Sequence, residues 1–398
     1  MADSRGPRLL MDLNNAFKRD PLIDEYDILP VVEPKHNRSP FILENHKLGV
    51  EAWAVKVLLK YSANRLIGWR SRSPTEKFID PQDICNLSRA VLLFNPDNYT
   101  AWNIRKELID SGALTLSDDL AFGALVLSKH PKSPETFIHR RWLFQQLLDH
   151  CLSSSSGSNS SCSAPAASNE EVLVNMEGID VDVGAHPEVG IRLNGAFALE
   201  SSRLLKSQTI CELQVCTQAA EKYPCNYHAW SHRIWIIKHC LNCSLQVLVS
   251  ELETTRSWTS NHVSDHSGFH FRQFLLRELH NKRSRLQSSS SKDFTSLLQA
   301  EMDFIIDLIY SYPNHEAMWY HRRFIFHELL KLDPTQKRTM QQMNTTNIEP
   351  AFNIHYNEPL GTQLISQEIC NVESSKKSTS NELDQLLAKN YVRWLQSL

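Results

Sequence analysis

Apolar residues recur at three- and four-residue spacings along most of the chain, whereas strict alternation is weak throughout. In the stretch YTAWNIRKELI, Trp102, Arg105 and Leu108 fall on one helical face. Ahead of it, DICNLSRAVLLF carries the same period, and ICELQVCTQAAEKY and LQVLVSELETTRSW repeat it further on. Each amphipathic pair is joined by a short loop, and in most copies a Pro stands at the entry of the second helix, where its missing N–H is not needed. The unit predicted is an αα-hairpin.

That unit recurs. An aromatic residue lies three positions before an Arg in Trp102/Arg105, Phe137/Arg140, Trp230/Arg233, Phe269/Arg272 and Trp319/Arg322. The residue nine positions before the Arg is Pro96, Pro131, Pro224 and Pro313 in four copies and Val263 in the fourth. Repetition of this kind predicts an all-α fold, a right-handed α-solenoid of stacked helical hairpins. The aromatics predict burial against the neighbouring hairpin. The Arg residues predict structural work too, with five donors available for carbonyls or an acidic side chain. A second aromatic follows two residues after the Arg at Trp142, Trp235, Phe274 and Phe324, and His139, His232 and His321 directly precede it.

The Arg residues are 35 positions apart from Arg105 to Arg140, then 93, 39 and 50. The gap of 93 holds SSSSGSNSSCSAPAAS and an acidic stretch, a composition that cannot bury enough apolar surface to order itself. The domain reading is therefore an N-terminal arm at 1–40 and a helical-repeat solenoid at 41–332 with a disordered insertion at about 152–190. A polar, partly disordered segment at 333–380 and a C-terminal helix at 381–398 follow. A smaller loop insertion is expected at 287–292.

A formal net charge of −3 argues against a nucleic-acid surface, which needs a basic field. No window reads as a spanning helix, and the first residues lack the apolar run of a signal peptide. Nine Cys, an odd number, read as reduced intracellular thiols, and the expected location is cytoplasmic. His262, His266 and His270 sit at metal-ligand spacing that predicts one helix face, and Cys240 and Cys243 form one Cys-x-x-Cys; neither supplies a four-ligand set, so no metal is expected on this chain.

The signatures Asn98-Tyr-Thr-Ala-Trp-Asn-Ile-Arg105 and Asn226-Tyr-His-Ala-Trp-Ser-His-Arg233 resemble the repeat of protein prenyltransferase α subunits over about Asp83 to Leu330. The resemblance implies a crescent wrapped around a β subunit that carries zinc and most of the isoprenoid pocket. It further implies an isoprenoid diphosphate as co-substrate and no activity from this chain alone. The implied partner is the β subunit of the Rab geranylgeranyltransferase type. The implied reaction is geranylgeranyl transfer to a protein with C-terminal cysteines, one already lipidated and SNARE-like. By residue type Lys132 is a solvated loop lysine; the resemblance makes it the catalytic contact to the leaving diphosphate. It likewise places Asn226, Tyr227 and His228 on the substrate and diphosphate side, although Asn226 also reads as a helix cap and Tyr227 as packing. The chain departs from the family pattern after the Lys, with Ser133-Pro134 in place of Asn-Tyr and Glu135 where carboxylate-reading members carry Gln. An anion there opposes a free C-terminal carboxylate. The competing class is a non-catalytic helical-repeat scaffold for protein partners.

Overall fold

The computed structural model describes residues 4–34, 38–71, 80–156, 193–285, 291–332, 360–376 and 381–398, and it comprises two compact units, Met1–Val215 and Cys216–Leu398. Both belong to the all-α class and are built from helical hairpins in series.

The first unit opens with α1 (Gly6–Arg19), strands β1 (Glu25–Leu29), β2 (Phe41–Glu44) and β3 (Lys47–Glu51), and α2 (Ala52–Arg70). The strands were not expected from the sequence. They form one mixed sheet in the order β1-β3-β2, with β3 parallel to β1 and antiparallel to β2. The two-residue turn between β2 and β3 places both Asn45 and His46 at positive φ (48° and 62°), the conformation a tight hairpin requires. The stretch read as an N-terminal arm thus contains a helix and a strand. Leu9, Leu13 and Tyr26 from it share one hydrophobic core with Leu48, Val50, Trp102 and Phe122.

Two hairpins follow in this unit: α3 (Pro81–Phe94) with α4 (Tyr99–Asp110), and α5 (Leu116–Lys129) with α6 (Pro134–Ser156). The next helix, α7 (Leu193–Lys222), contains the boundary between the units and precedes α8 (Tyr227–His239). In the second unit, α9 (Leu245–Asn261) pairs with α10 (His266–Arg285), and α11 (Ser291–Ser311) with α12 (Glu316–Leu332). The chain closes with α13 (Leu360–Lys376) packed on α14 (Glu382–Leu395).

Helix α6 continues to Ser156, so the first residues of the expected insertion are helical; its remainder, 157–192, lies outside the described residues, as do 286–290. The segment 333–380 is expected to be polar and partly disordered; over Leu360–Lys376 it instead forms α13. Its remaining residues, 333–359 and 377–380, lie outside the described ones.

All five motif aromatics are buried, and four of them meet the residue before the Arg position in the next hairpin. Trp102 stacks on His139 at 4.4 Å between ring centres, Trp230 lies 5.0 Å from Phe271, Phe269 5.1 Å from His321 and Trp319 5.6 Å from Tyr391.

The five motif Arg residues are also buried, at 1–5% exposure, and each pairs with a carboxylate on the first helix of the following hairpin. Arg105 Nε donates to Asp119 Oδ1 (2.6 Å), Arg140 Nε to Glu212 Oε1 (2.7 Å) and Arg233 Nε to Glu251 Oε2 (2.7 Å). Arg272 Nε donates to Glu301 Oε1 (2.8 Å) and Arg322 Nε to Glu368 Oε1 (2.9 Å). In four of these junctions a further guanidinium N–H reaches back to the first helix of the Arg's own hairpin. The acceptors are Ser88 Oγ, Leu120 O, Thr217 Oγ1 and Leu252 O. One side chain therefore ties three helices. Gly123 on α5 leaves room for Arg140, since a Cβ there would lie 2.8 Å from its Nη1.

The carboxylates recruit a second donor from the next hairpin. His139 Nε2 lies 2.5 Å from Asp119 Oδ2, His321 Nε2 2.8 Å from Glu301 Oε1, and the Tyr391 hydroxyl donates to Glu368 Oε1 (2.9 Å). Both imidazoles leave a buried Nδ1 with no hydrogen-bond partner, which fits neutral rings protonated on Nε2. Burial pushes both below the ordinary imidazole pKa, outweighing the pull of the adjacent carboxylates. Burial alone would raise Glu301, but hydrogen bonds from His321 and Arg272 overcome it and hold the carboxyl at about 2.

Breaking one junction leaves a buried charge without its counter-ion, which costs far more than removing both partners. Glu212→Ala is expected to destabilise the protein by about 3–5 kcal/mol, and the double change Arg140→Met with Glu212→Leu by much less, read from urea unfolding midpoints. Equal losses from the single and double variants would show that Arg140 finds another partner.

The same junctions set a pH dependence. His139 and His321 have folded pKa values below that of the unfolded chain, about 6.5, so only the unfolded chain gains those protons as the pH falls. Stability is accordingly full above that value and declines below it, with a second loss as the pH drops from the ordinary Glu range toward about 2 for Glu301. Melting temperatures measured from pH 8 to pH 5 are expected to fall toward acid, and His321→Gln to flatten the slope. A profile flat through this range would contradict the neutral assignment.

Candidate functional site

The candidate residues sit where one helix of a hairpin ends and the next begins. At these turns the first N–H groups of the second helix need acceptors, and in four of the five hairpins the chain supplies a capping side chain. Asn98 accepts from Ala101 N (2.9 Å), Asn226 from Ala229 N (3.2 Å) and Asp265 from Gly268 N (2.8 Å). In the second hairpin Ser133 has this role, its Oγ accepting from Thr136 N (3.2 Å). Pro134 then occupies the first position of α6, where a proline is well suited. The departure Ser133-Pro134 is thus a complete helix start of another composition. Glu135 lies in the first turn of α6, where a negative charge meets the positive end of the helix dipole.

A single residue separates the motif Pro, or Val263 in its place, from the residue before the second helix: Asp97, Lys132, Cys225, Ser264 or Asn314. Lys132 is the cation of this set, and it is solvent-exposed. Its loop is anchored on both sides. Ser133 N donates to His130 O (3.1 Å), and Ser133 Oγ donates to Asp97 Oδ1 (2.7 Å) in the first hairpin's loop. The Thr136 hydroxyl, 2.7 Å from Ser133 Oγ, then acts as the donor of that pair.

Asn226 is placed differently from its substrate-side reading. It is 1% exposed; its Oδ1 caps α8 and its Nδ2 donates to Ala219 O at 3.0 Å. Both ends of the amide are engaged within the fold, so its work is structural. Tyr227 is 65% exposed, as is Tyr99 at the equivalent place in the first hairpin. The ring of His228, half-buried, lies edge-on to Tyr227 at 5.7 Å. Lys132 belongs to the first unit and Asn226, Tyr227 and His228 to the second.

The three histidines at metal-ligand spacing do not share a helix face. Helix α9 ends at Asn261, His262 follows as its cap, and α10 begins at His266. His262 stacks on Trp258 at 4.0 Å between ring centres, and its Nδ1 lies 2.8 Å from Trp258 O. The second aromatics act within the repeat. Lys106 lies over Trp142, Lys238 over Phe274 and Arg277 over Phe324, each cation from the second helix of the preceding hairpin.

The sequence matches the family model for the protein prenyltransferase alpha subunit repeat at residues 82–112, 211–240, 248–279 and 298–329. Protein prenyltransferase alpha subunit repeat-containing protein 1 of Danio rerio is 40% identical over 341 residues, covering 80% of this chain and 71% of that protein. Its Homo sapiens counterpart is 39% identical over 346 residues, covering 80% and 77%. The chain belongs to the prenyltransferase α-subunit repeat family. A more distant member, geranylgeranyl transferase type-2 subunit alpha of Rattus norvegicus, is 20% identical over 253 residues, covering 61% of this chain and 34% of that protein. The family model passes over α5 and α6, yet this hairpin carries the same Arg140–Glu212 junction and the Lys132 loop. Among the described residues no helix is long and apolar enough to cross a membrane.

If Asn226 is a cap and a carbonyl partner, Asn226→Ala is expected to cost about 2 kcal/mol. Tyr227→Ala, at an exposed position, should stay within about 0.5 kcal/mol of the parent. Denaturant titrations of the two variants separate these roles. An Asn226→Ala protein as stable as the parent would return the residue to the substrate-side reading.

Proposed function

We propose that this chain is the α subunit of a heterodimeric protein prenyltransferase that transfers a geranylgeranyl group to a protein cysteine. Its partner in this reading is a zinc-carrying β subunit of the Rab geranylgeranyltransferase type, and the complex works in the cytoplasm. The substrate is a protein with C-terminal cysteines that already carries a lipid, of SNARE type. Membership of the α-subunit repeat family and the likeness to a type-2 geranylgeranyl transferase α subunit support this reading.

The observation that carries it is the loop of the second hairpin. Loss of the diphosphate from an isoprenoid builds negative charge on the leaving oxygen, and a cation held nearby stabilises the transition state more than the ground state. Lys132 is an exposed cation on a loop whose neighbours are fixed by Ser133, His130 and Asp97. Zinc in the partner would supply activation of the attacking thiolate. This chain contributes the charge at the leaving group and, through exposed Tyr227 and half-buried His228, hydrogen-bonding groups to the substrate side.

Co-expression with that β subunit is expected to give a complex that co-elutes in size-exclusion chromatography. Lys132→Ala should lower the single-turnover rate of prenyl transfer by about 10–1,000-fold while the complex stays intact, because the side chain lies outside the Arg–carboxylate junctions. An intact complex with an unchanged rate would leave the chain as a scaffold for protein partners. Failure to co-elute would remove the proposal.

A further inference from the structure

A cleft of about 340 Å³ opens between α1, α2 and α3 in the first unit, away from any residue given a role above. This volume falls within the range of ligand-binding clefts. Its lining is mixed: Leu10 and Leu87 are apolar, whereas Asn14, Lys18, Arg65 and Asn86 bring polar and charged groups from all three helices.

Several of these polar groups are not used by the fold. Lys18 and Arg65 are exposed, and neither forms an ion pair or hydrogen bond among the described residues. Asn14 Oδ1 is buried and has no hydrogen-bond partner. A buried acceptor in this state carries a desolvation cost that a donor would relieve. Asn86 is 8% exposed; its Oδ1 accepts from Gln82 Nε2 at 3.2 Å, so its Nδ2 donor is left to the cleft. Asp83 also lines the space and opposes a dense run of negative charge.

The ligand that satisfies this set carries one anionic group, at least one N–H donor and an apolar part. A bare phosphate brings the charge but no apolar part for Leu10 and Leu87. A peptide brings backbone N–H groups at any sequence, and a Glu or Asp side chain flanked by apolar residues supplies the rest. We propose that the α1–α2–α3 cleft docks a short peptide segment of this kind. Lys18 and Arg65 hold its carboxylate, Asn14 Oδ1 accepts one of its backbone N–H groups, and Leu10 and Leu87 receive the apolar side chain. This inference is independent of the role given to Lys132.

A phage-displayed library of random heptapeptides, selected on the full chain and counter-selected on the Lys18→Ala/Arg65→Ala double variant, tests it. The expected product is a family of peptides sharing one acidic residue beside apolar ones. By fluorescence anisotropy, a synthetic member should bind each single variant, Lys18→Ala and Arg65→Ala, about tenfold or more weakly than the parent, the loss that removing one charge-assisted hydrogen bond brings. Replacing its acidic residue by the matching amide should have the same effect, and Asn14→Leu should weaken binding too. Both cations are exposed and unpaired, so the melting temperatures of the Lys18 and Arg65 variants should match the parent and exclude unfolding as the cause. No enrichment over the double variant, a consensus lacking an acid, or unchanged affinity in the single variants would overturn the proposal. Displacement of the peptide by inorganic phosphate at an equal concentration would overturn it in favour of a simple anion site.

Discussion

Everything in the repeat depends on a guanidinium that is almost completely removed from water. Desolvating such a charge is costly, and it is tolerated only where a counter-ion and acceptors for the remaining N–H groups are already in place. Each motif Arg finds its carboxylate on the next hairpin, and in four junctions another acceptor lies on the first helix of its own. A slip of a hairpin by one turn would strand the Arg on one side and the carboxylate on the other. The pair therefore adds little net stability compared with an apolar contact of the same volume, but penalises wrong registers heavily. The aromatic three residues earlier supplies the burial that non-specific packing needs; the Arg selects among the packings available.

This division explains which parts of the fold were legible in the sequence. The aromatic and its Arg lie on one helix at a fixed offset, so five copies stand out. The carboxylates do not, because they lie 14, 72, 18, 29 and 46 residues beyond their Arg, with loops of every length between. Helix α13 was hidden for a related reason. Its inward stripe runs through Gly361, Ile365, Glu368 and Val372, a helical period with a glycine and a carboxylate in place of two apolar residues. Hydropathy reads that as polar chain. Only the presence of Arg322, a cation needing a partner, makes Glu368 a core residue. The three strands escaped because each is four or five residues long and leans on α1, α2 and α5 for burial, not on its own alternation.

The hairpin of α13 and α14 varies the pattern. Tyr391 takes the position of His139 and His321, touching the preceding aromatic and donating to the preceding carboxylate, but Val392 stands where an Arg would follow. An apolar residue, 8% exposed, is what the environment accepts.

The candidate site was less legible than the fold, for a reason rooted in the same geometry. The residue after the motif Pro serves the fold in several copies: Asp97 accepts from Ser133 Oγ, and Ser264 Oγ lies 2.6 Å from His315 Nδ1. It differs in every copy, as Asp97, Lys132, Cys225, Ser264 or Asn314, so the repeat alone carries little information about its role. The cap itself carries almost none: Asn226 matches a family site pattern, yet its amide is consumed at both ends by α8 and Ala219. A recurring Asn in such a loop is therefore weak grounds for chemistry. Ser133 ties the Lys132 loop to Asp97 of the preceding hairpin, so the exposed lysine stands on two joined turns.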